Sequence, residues 1–194
     1  MTWSNGDSKG AQDQANNERQ QDGREEEHWE ESEQEVSFLI ALLIRYPEIG
    51  AVRVLAEEAS LRLTFLLNEK PEEEEVEQFR TQASTALSAL SRLDSVQTRQ
   101  LSVEVVTHRL LSTLDLTRDL ATLTAEEFPL LLGIVGEAFG NLLVVDGGRD
   151  GEVAPEIVEE LSLDNSLKDL KGSIPKKRLV GFRDDGRVLV FNER

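Results

Sequence analysis

Hydrophobic and polar positions along the chain fall into two kinds of pattern, and their order outlines the architecture. Val36, Phe38, Leu39, Ile40, Leu42, Leu43 and Ile44 put apolar side chains on most sides of a helix. Pro47 stops it, because the residue before a proline is pushed out of helical geometry. Ala51–Ala56 then alternates, with Val52 and Val54 on one side and Arg53 on the other. After the polar pair Glu57-Glu58, Ser60–Leu67 alternates again, with Leu61, Leu63, Phe65 and Leu67 on one face. Two alternating runs across a short polar gap predict a β-hairpin.

A helix follows. Pro71 suits a first helical position, and Glu72 to Glu75 place negative charge on the positive end of the helix dipole. Val76, Phe79, Ala83, Leu87 and Leu90 then form one apolar stripe. A second cycle repeats the pattern. Leu101, Val103 and Val105 alternate with polar residues, as do Leu114 and Leu116, so both runs read as strands. Thr124-Ala125-Glu126-Glu127 is a capping box, with Thr124 as N-cap and Glu127 at N3. Phe128, Leu131, Leu132, Val135 and Phe139 form the next helical stripe, closed by Gly140 as a C′ residue. Leu142–Val145 is a short apolar run that reads as a buried strand.

From Ser60 to Asp146 the order is strand, helix, strand, strand, helix, strand. That is the split β-α-β order of a ferredoxin-like domain, preceded by an extra helix and strand. Two successive hairpin-plus-helix units, Ala51–Leu93 and Leu101–Phe139, describe the same residues. Either way the fold class is α+β, an antiparallel sheet packed by two or three helices.

The C-terminal stretch gives the sharpest local signal. Leu179–Arg183 and Arg187–Phe191 flank Asp184-Asp185-Gly186, and Asp-Gly between alternating runs is a strong hairpin cue. With Asp185-Gly186 in the loop, Val180, Phe182, Leu189 and Phe191 share one face, and Gly181, Arg183, Val188 and Val190 the other. A lone hairpin is marginally stable in water. It must add to the main sheet, pair with a second copy as a homodimer, or dock on a partner.

Charge divides the chain further. The total is -17, yet residues 1–35 carry 11 acids and 3 bases, whereas residues 173–194 carry 3 acids and 6 bases. Residues 1–35 have almost no apolar periodicity and read as a disordered acidic tail. Residues 36–145 are the α+β domain. Residues 146–172 are an acidic connector, flexible at Asp146–Gly151. Beyond Pro155 it gives a short amphipathic helix (Ile157, Val158, Leu161, Leu163) that Leu167 and Leu170 extend after a break. Residues 173–194 are a basic β-hairpin.

Composition narrows the chemistry. With no cysteine there is no disulfide framework or thiolate metal site. A pI near 4.5 argues against broad electrostatic binding of nucleic acid. No apolar run is long enough to span a membrane, and the polar N-terminus is not a secretory signal. His28 lies in the tail and His108 at a strand end, with no companion ligand for a metal. Asp115 and Asp119 lie on one strand face beside Arg118, which reads as a solvated ion pair rather than an acid–base site. There is no phosphate loop, dinucleotide fingerprint or Gly-x-Ser-x-Gly elbow. No catalytic residue, cofactor or metal is therefore expected.

The remaining candidate is the hairpin itself: Lys176, Lys177, Arg178, Phe182, Arg183, Arg187, Leu189 and Phe191. The leading expectation is a non-enzymatic cytoplasmic adaptor or regulatory protein that docks another protein there. A ribosome- or RNA-associated factor using the same basic hairpin is the second, through charge and base stacking. A small enzyme or ligand sensor with a site between helices and sheet, near Asp115 and Asp119, is the third.

Overall fold

The computed structural model describes residues 35–94, 100–145, 162–172 and 178–193. The expected acidic tail, most of the acidic connector with its Pro155 segment, and Lys176 and Lys177 lie outside them. Among the described residues the fold is α+β, with four α-helices and six antiparallel strands. Helix α1 covers residues 35–45. Strand β1 (Ala51–Leu55) and β2 (Ser60–Leu67) form the first hairpin, and α2 (Glu73–Asp94) follows. Strand β3 (Leu101–Thr107) and β4 (Ser112–Asp119) form the second hairpin, followed by α3 (Glu127–Phe139). Helix α4 (Leu163–Gly172) precedes the C-terminal pair β5 (Arg178–Asp184) and β6 (Arg187–Glu193).

The strand order is β3-β4-β2-β1-β5-β6. Cross-strand register sorts the side chains into two faces. The inner face carries Leu101, Val103 and Val105; Leu114, Leu116 and Arg118; Leu61, Leu63 and Phe65; Val52 and Val54; Leu179 and Gly181. The apolar members of this face on β1, β2 and β4 are almost wholly buried. Phe79 of α2 meets Phe139 of α3 with ring centroids 5.2 Å apart, and Phe128 of α3 meets Phe38 of α1 at 6.3 Å. The helices thus form one layer over this face. The stripe Phe79, Ala83 and Leu87 and the stripe Phe128, Leu131, Val135 and Phe139 point into the core as their spacing requires.

Two expectations change. Leu142–Val145 contributes only one bridge, Leu67 to Leu143, instead of a buried strand. The reason is occupancy. β1 lies along β2 from Ser60 to Thr64, so only the far end of β2 is open beyond it. There Asn68 donates to the Leu142 carbonyl and Val144 to the Leu66 carbonyl, while Val144 and Val145 stay exposed. Gly140 keeps right-handed geometry (φ -57°) instead of serving as a left-handed C′ residue, and its N–H bonds to the Gly136 carbonyl. In the described part of the connector a helix spans Leu163–Gly172, and Leu163, Leu167 and Leu170 are all buried. Lys171 of this helix reaches the Ala121 carbonyl, so α4 docks on the domain at the turn after β4.

The C-terminal hairpin is part of the main sheet. β5 pairs with β1 from Ala51↔Phe182 to Val54↔Leu179. Gly181 lies directly beneath α1, where a Cβ would stand 3.0 Å from Leu43 Cδ1 and 3.4 Å from Leu39 Cβ. Only a residue without a side chain lets the helix approach this closely. No helix among the described residues is long and apolar enough to cross a membrane.

Candidate docking surface

The hairpin turn fixes the geometry of the candidate residues. Asp185 and Gly186 both have positive φ, 48° and 74°, as a two-residue type I′ turn demands. The turn sets Val180 opposite Phe191 and Phe182 opposite Leu189. These four side chains lie on the outer face of the sheet, away from the helices. The Phe182 and Phe191 rings stack with centroids 5.6 Å apart and planes 13° apart. Phe191 remains 52% exposed. The pair lies on a sheet face that no described helix covers, with Phe182 half-buried beside the exposed Phe191.

Register extends the surface across the sheet. One row runs Thr117, Arg62, Arg53, Val180, Phe191, and the next runs Asp115, Thr64, Ala51, Phe182, Leu189. Arg53 and Arg62 are therefore directly opposed, an unfavourable pairing of like charges on adjacent strands. Arg62 Nε donates to Thr117 Oγ1 at 3.3 Å. Beside it the Thr64 hydroxyl donates to Asp115 Oδ1 at 2.7 Å. The surface is thus apolar over β5–β6 and cationic over β1–β2.

The structure gathers only part of the expected set. Phe182, Leu189 and Phe191 come together, and Val180, on the face expected for it, completes the patch. Arg178 and Arg187 share this face at opposite ends of the hairpin, where Arg178 pairs with Glu57 at 3.0 Å on an exposed rim. Arg183 faces the other way. Its guanidinium donates to the Leu43 carbonyl at the end of α1, and its Nε is buried without a partner. The reason is parity, since Arg183 alternates with Phe182 along the strand. Arg53 and Arg62 were legible as outward-facing residues in their own strands, but their meeting depends on the β1–β2 register.

The acid cluster departs from the surface ion pair expected of it. Arg118 is on the inner face and almost wholly buried. Its Nε lies 2.9 Å from Glu127 Oε2, and Glu127 is itself fully buried. Further donations go to Thr122 Oγ1, Asp119 and the Gln100 carbonyl. Partial burial tends to raise the pKa of Asp119. Hydrogen bonds from Thr122 and Arg118, together with the Arg118 charge, outweigh it and hold the carboxyl below its ordinary value. Glu127 also accepts from the Thr124 N–H at 3.0 Å, one half of the capping box, while the Thr124 hydroxyl has no partner. These groups are structural, tying β4 to the start of α3.

Other candidates are dispersed. His108 is exposed, and its N–H closes the β3–β4 turn on the Leu111 carbonyl. Among the described residues no three His, Asp or Glu side chains gather as a metal site. A groove of about 330 Å³ lies between α2 and α3, lined by Glu75, Gln78, Gln82 and Glu137, far from Asp115 and Asp119. No protein-family model, curated protein or solved structure matches the chain.

Proposed function

We propose that the protein is a non-enzymatic adaptor or regulatory protein of the cytoplasm. It binds another protein on the outer face of the β1–β5–β6 side of the sheet. The supporting observation is the stacked Phe182–Phe191 pair on a face uncovered by any described element, beside two opposed arginines. A partner segment that lays apolar side chains on Val180, Phe182, Leu189 and Phe191 and carboxylates on Arg53 and Arg62 fits that surface. It would relieve the like-charge opposition while burying the rings. RNA is the less favoured occupant, because Arg183 faces the opposite side and Arg178 is paired with Glu57. For the architecture, we read β2 through α3 as a ferredoxin-like core in which β1 has replaced the fourth strand. The placement of β4 between β2 and β3 supports this reading.

Removing residues 173–194 is a poor test, since it would uncover β1 and the α1 side chains above Gly181. Point substitutions on the outer face leave the core intact. Proteins retained by the full-length chain from its native host should be lost with V180T/F191S and reduced with R53E/R62E, at unchanged melting temperature. Retention of the same proteins by V180T/F191S would refute the proposal. Captured material that is RNA, released by salt and nuclease, would replace it with the nucleic-acid reading.

A further inference from the structure

The sheet has two edges of different character. At the β3 edge, Arg80 of α2 reaches across and donates to the Val103 carbonyl at 3.2 Å, so part of that edge is already occupied. β6 closes the other end, and among the described residues no further strand lies beyond it. The direction of its main-chain groups follows from one bond. Arg183 N–H donates to the Gly50 carbonyl, toward β1. Main-chain groups alternate along a strand, so those of Phe182 and Val180 point to β6, where they meet Leu189 and Phe191. Val188, Val190 and Asn192 therefore direct their N–H and C=O groups outward. An exposed strand edge of this kind is a template for another strand.

We infer that β6 pairs antiparallel with β6 of a second copy of this chain, about a two-fold axis at Val190. The strand is self-complementary about that point. Val190 is the midpoint of Arg187–Glu193. Centring the axis there uses the whole strand and sets each outward-facing residue against another. Val190 meets Val190 of the second copy, and Val188 meets its Asn192, each as a pair exchanging both main-chain hydrogen bonds. The same register sets Arg187 opposite the second copy's Glu193 at both ends. Within the hairpin Arg187 already faces Asp184, and Glu193 faces Arg178. The four-strand row at each end thus alternates in sign: Asp184, Arg187, then Glu193 and Arg178 of the second copy. Shifting the register by one step in the allowed parity sets Arg187 against Phe191 or Leu189 against Glu193, and the charge match disappears. On the outer face, Leu189 meets Phe191 of the second copy, so the two apolar patches become one.

This association goes beyond the adaptor reading and does not depend on it. A pairing confined to one strand edge is small beside a standard interface of about 1,600 Å², so the dimer is expected to be concentration-dependent. Sedimentation equilibrium of the full-length chain at low salt should show monomer and dimer in exchange. R187E sets acid against acid at both ends, and E193R sets base against base. Each should weaken dimerisation roughly tenfold or more. Their equimolar mixture restores opposite charges at both ends, so it should form a heterodimer at close to wild-type strength. V190P removes the outward N–H at the axis without touching a β5–β6 bond, and should also yield monomer. Circular dichroism melts of every variant confirm that the hairpin remains folded. A wild-type chain that stays monomeric to about 1 mM would overturn the inference. So would single variants that dimerise like wild type, or a mixture no better than its components.

Discussion

Replacing Arg118 with methionine removes a buried cation while keeping most of the side-chain volume. What it leaves behind is Glu127, wholly enclosed and without the Arg118 guanidinium that lies 2.9 Å away in the wild type. Removing one member of a buried ion pair costs about 3–5 kcal/mol, because the other is left charged in a medium that solvates it poorly. The donations to Thr122 and to the Gln100 carbonyl disappear as well. Domains of this kind are stable by only about 5–15 kcal/mol. With a urea m-value of about 2 kcal/mol/M, the unfolding midpoint should fall by roughly 1.5–2.5 M. R118M/E127M tests the cause. Losing both charges leaves no buried carboxylate lacking the Arg118 cation, at the expense of the Glu127 contact to Thr124 N–H, which is worth about 1 kcal/mol. The double variant should therefore lie within about 2 kcal/mol of wild type and above R118M. Urea titration followed by circular dichroism measures all three. If R118M falls within about 1 kcal/mol of wild type, or the double variant is no more stable than the single, the buried-pair argument is wrong.

D119N should show its effect through pH. The folded carboxyl titrates below its ordinary value, so its stabilisation is present above the unfolded pKa and is lost as pH falls through the folded one. The melting-temperature gap between wild type and D119N should be constant near neutrality and close below about pH 4, and a gap independent of pH would contradict the assignment. G181V should cost about 1–3 kcal/mol, since a branched side chain cannot occupy the 3.0 Å space to Leu43 without lifting α1. An unchanged urea midpoint would show that α1 does not bear on β5 as described.

What could be read from the sequence was whatever depends on neighbours along the chain. The alternation in Ser60–Leu67, the Val76–Leu90 stripe and the Asp185-Gly186 turn each encode a local geometry, and all three elements form. Arg118 shows the limit. Its alternation with Leu116 and Leu114 places it on the inner face, yet its charge argues for solvent, and only the buried Glu127 nine residues on resolves the conflict. Leu142–Val145 shows another. Its apolar run suits a strand, but whether a strand forms depends on whether β2 has an open flank, and β1 had taken it. The docking surface was half legible for the same reason. Val180, Phe182, Leu189 and Phe191 follow from one turn, whereas Arg53 and Arg62 join them only through pairings among β1, β2 and β5.

The placement of β5 changes what the hairpin can be asked to do. An appended hairpin would be free to carry function alone, and its basic charge would be its most conspicuous property. Built into the sheet, it divides by parity. Gly181 and Arg183 serve the core, one by admitting α1 and the other by capping the Leu43 carbonyl. Phe182, Leu189 and Phe191 face outward, away from the helices. The three described basic residues near the C-terminus divide in the same way: Arg183 makes a buried contact, Arg178 pairs with Glu57 and Arg187 lies on the edge strand. Charge at this end of the chain is therefore organised by strand alternation, and the cationic site on the outer face comes instead from Arg53 and Arg62, in a segment whose own composition is acidic. The proposed recognition surface is one sheet face assembled from four strands, so surface substitutions that respect parity should separate binding from folding where truncation cannot.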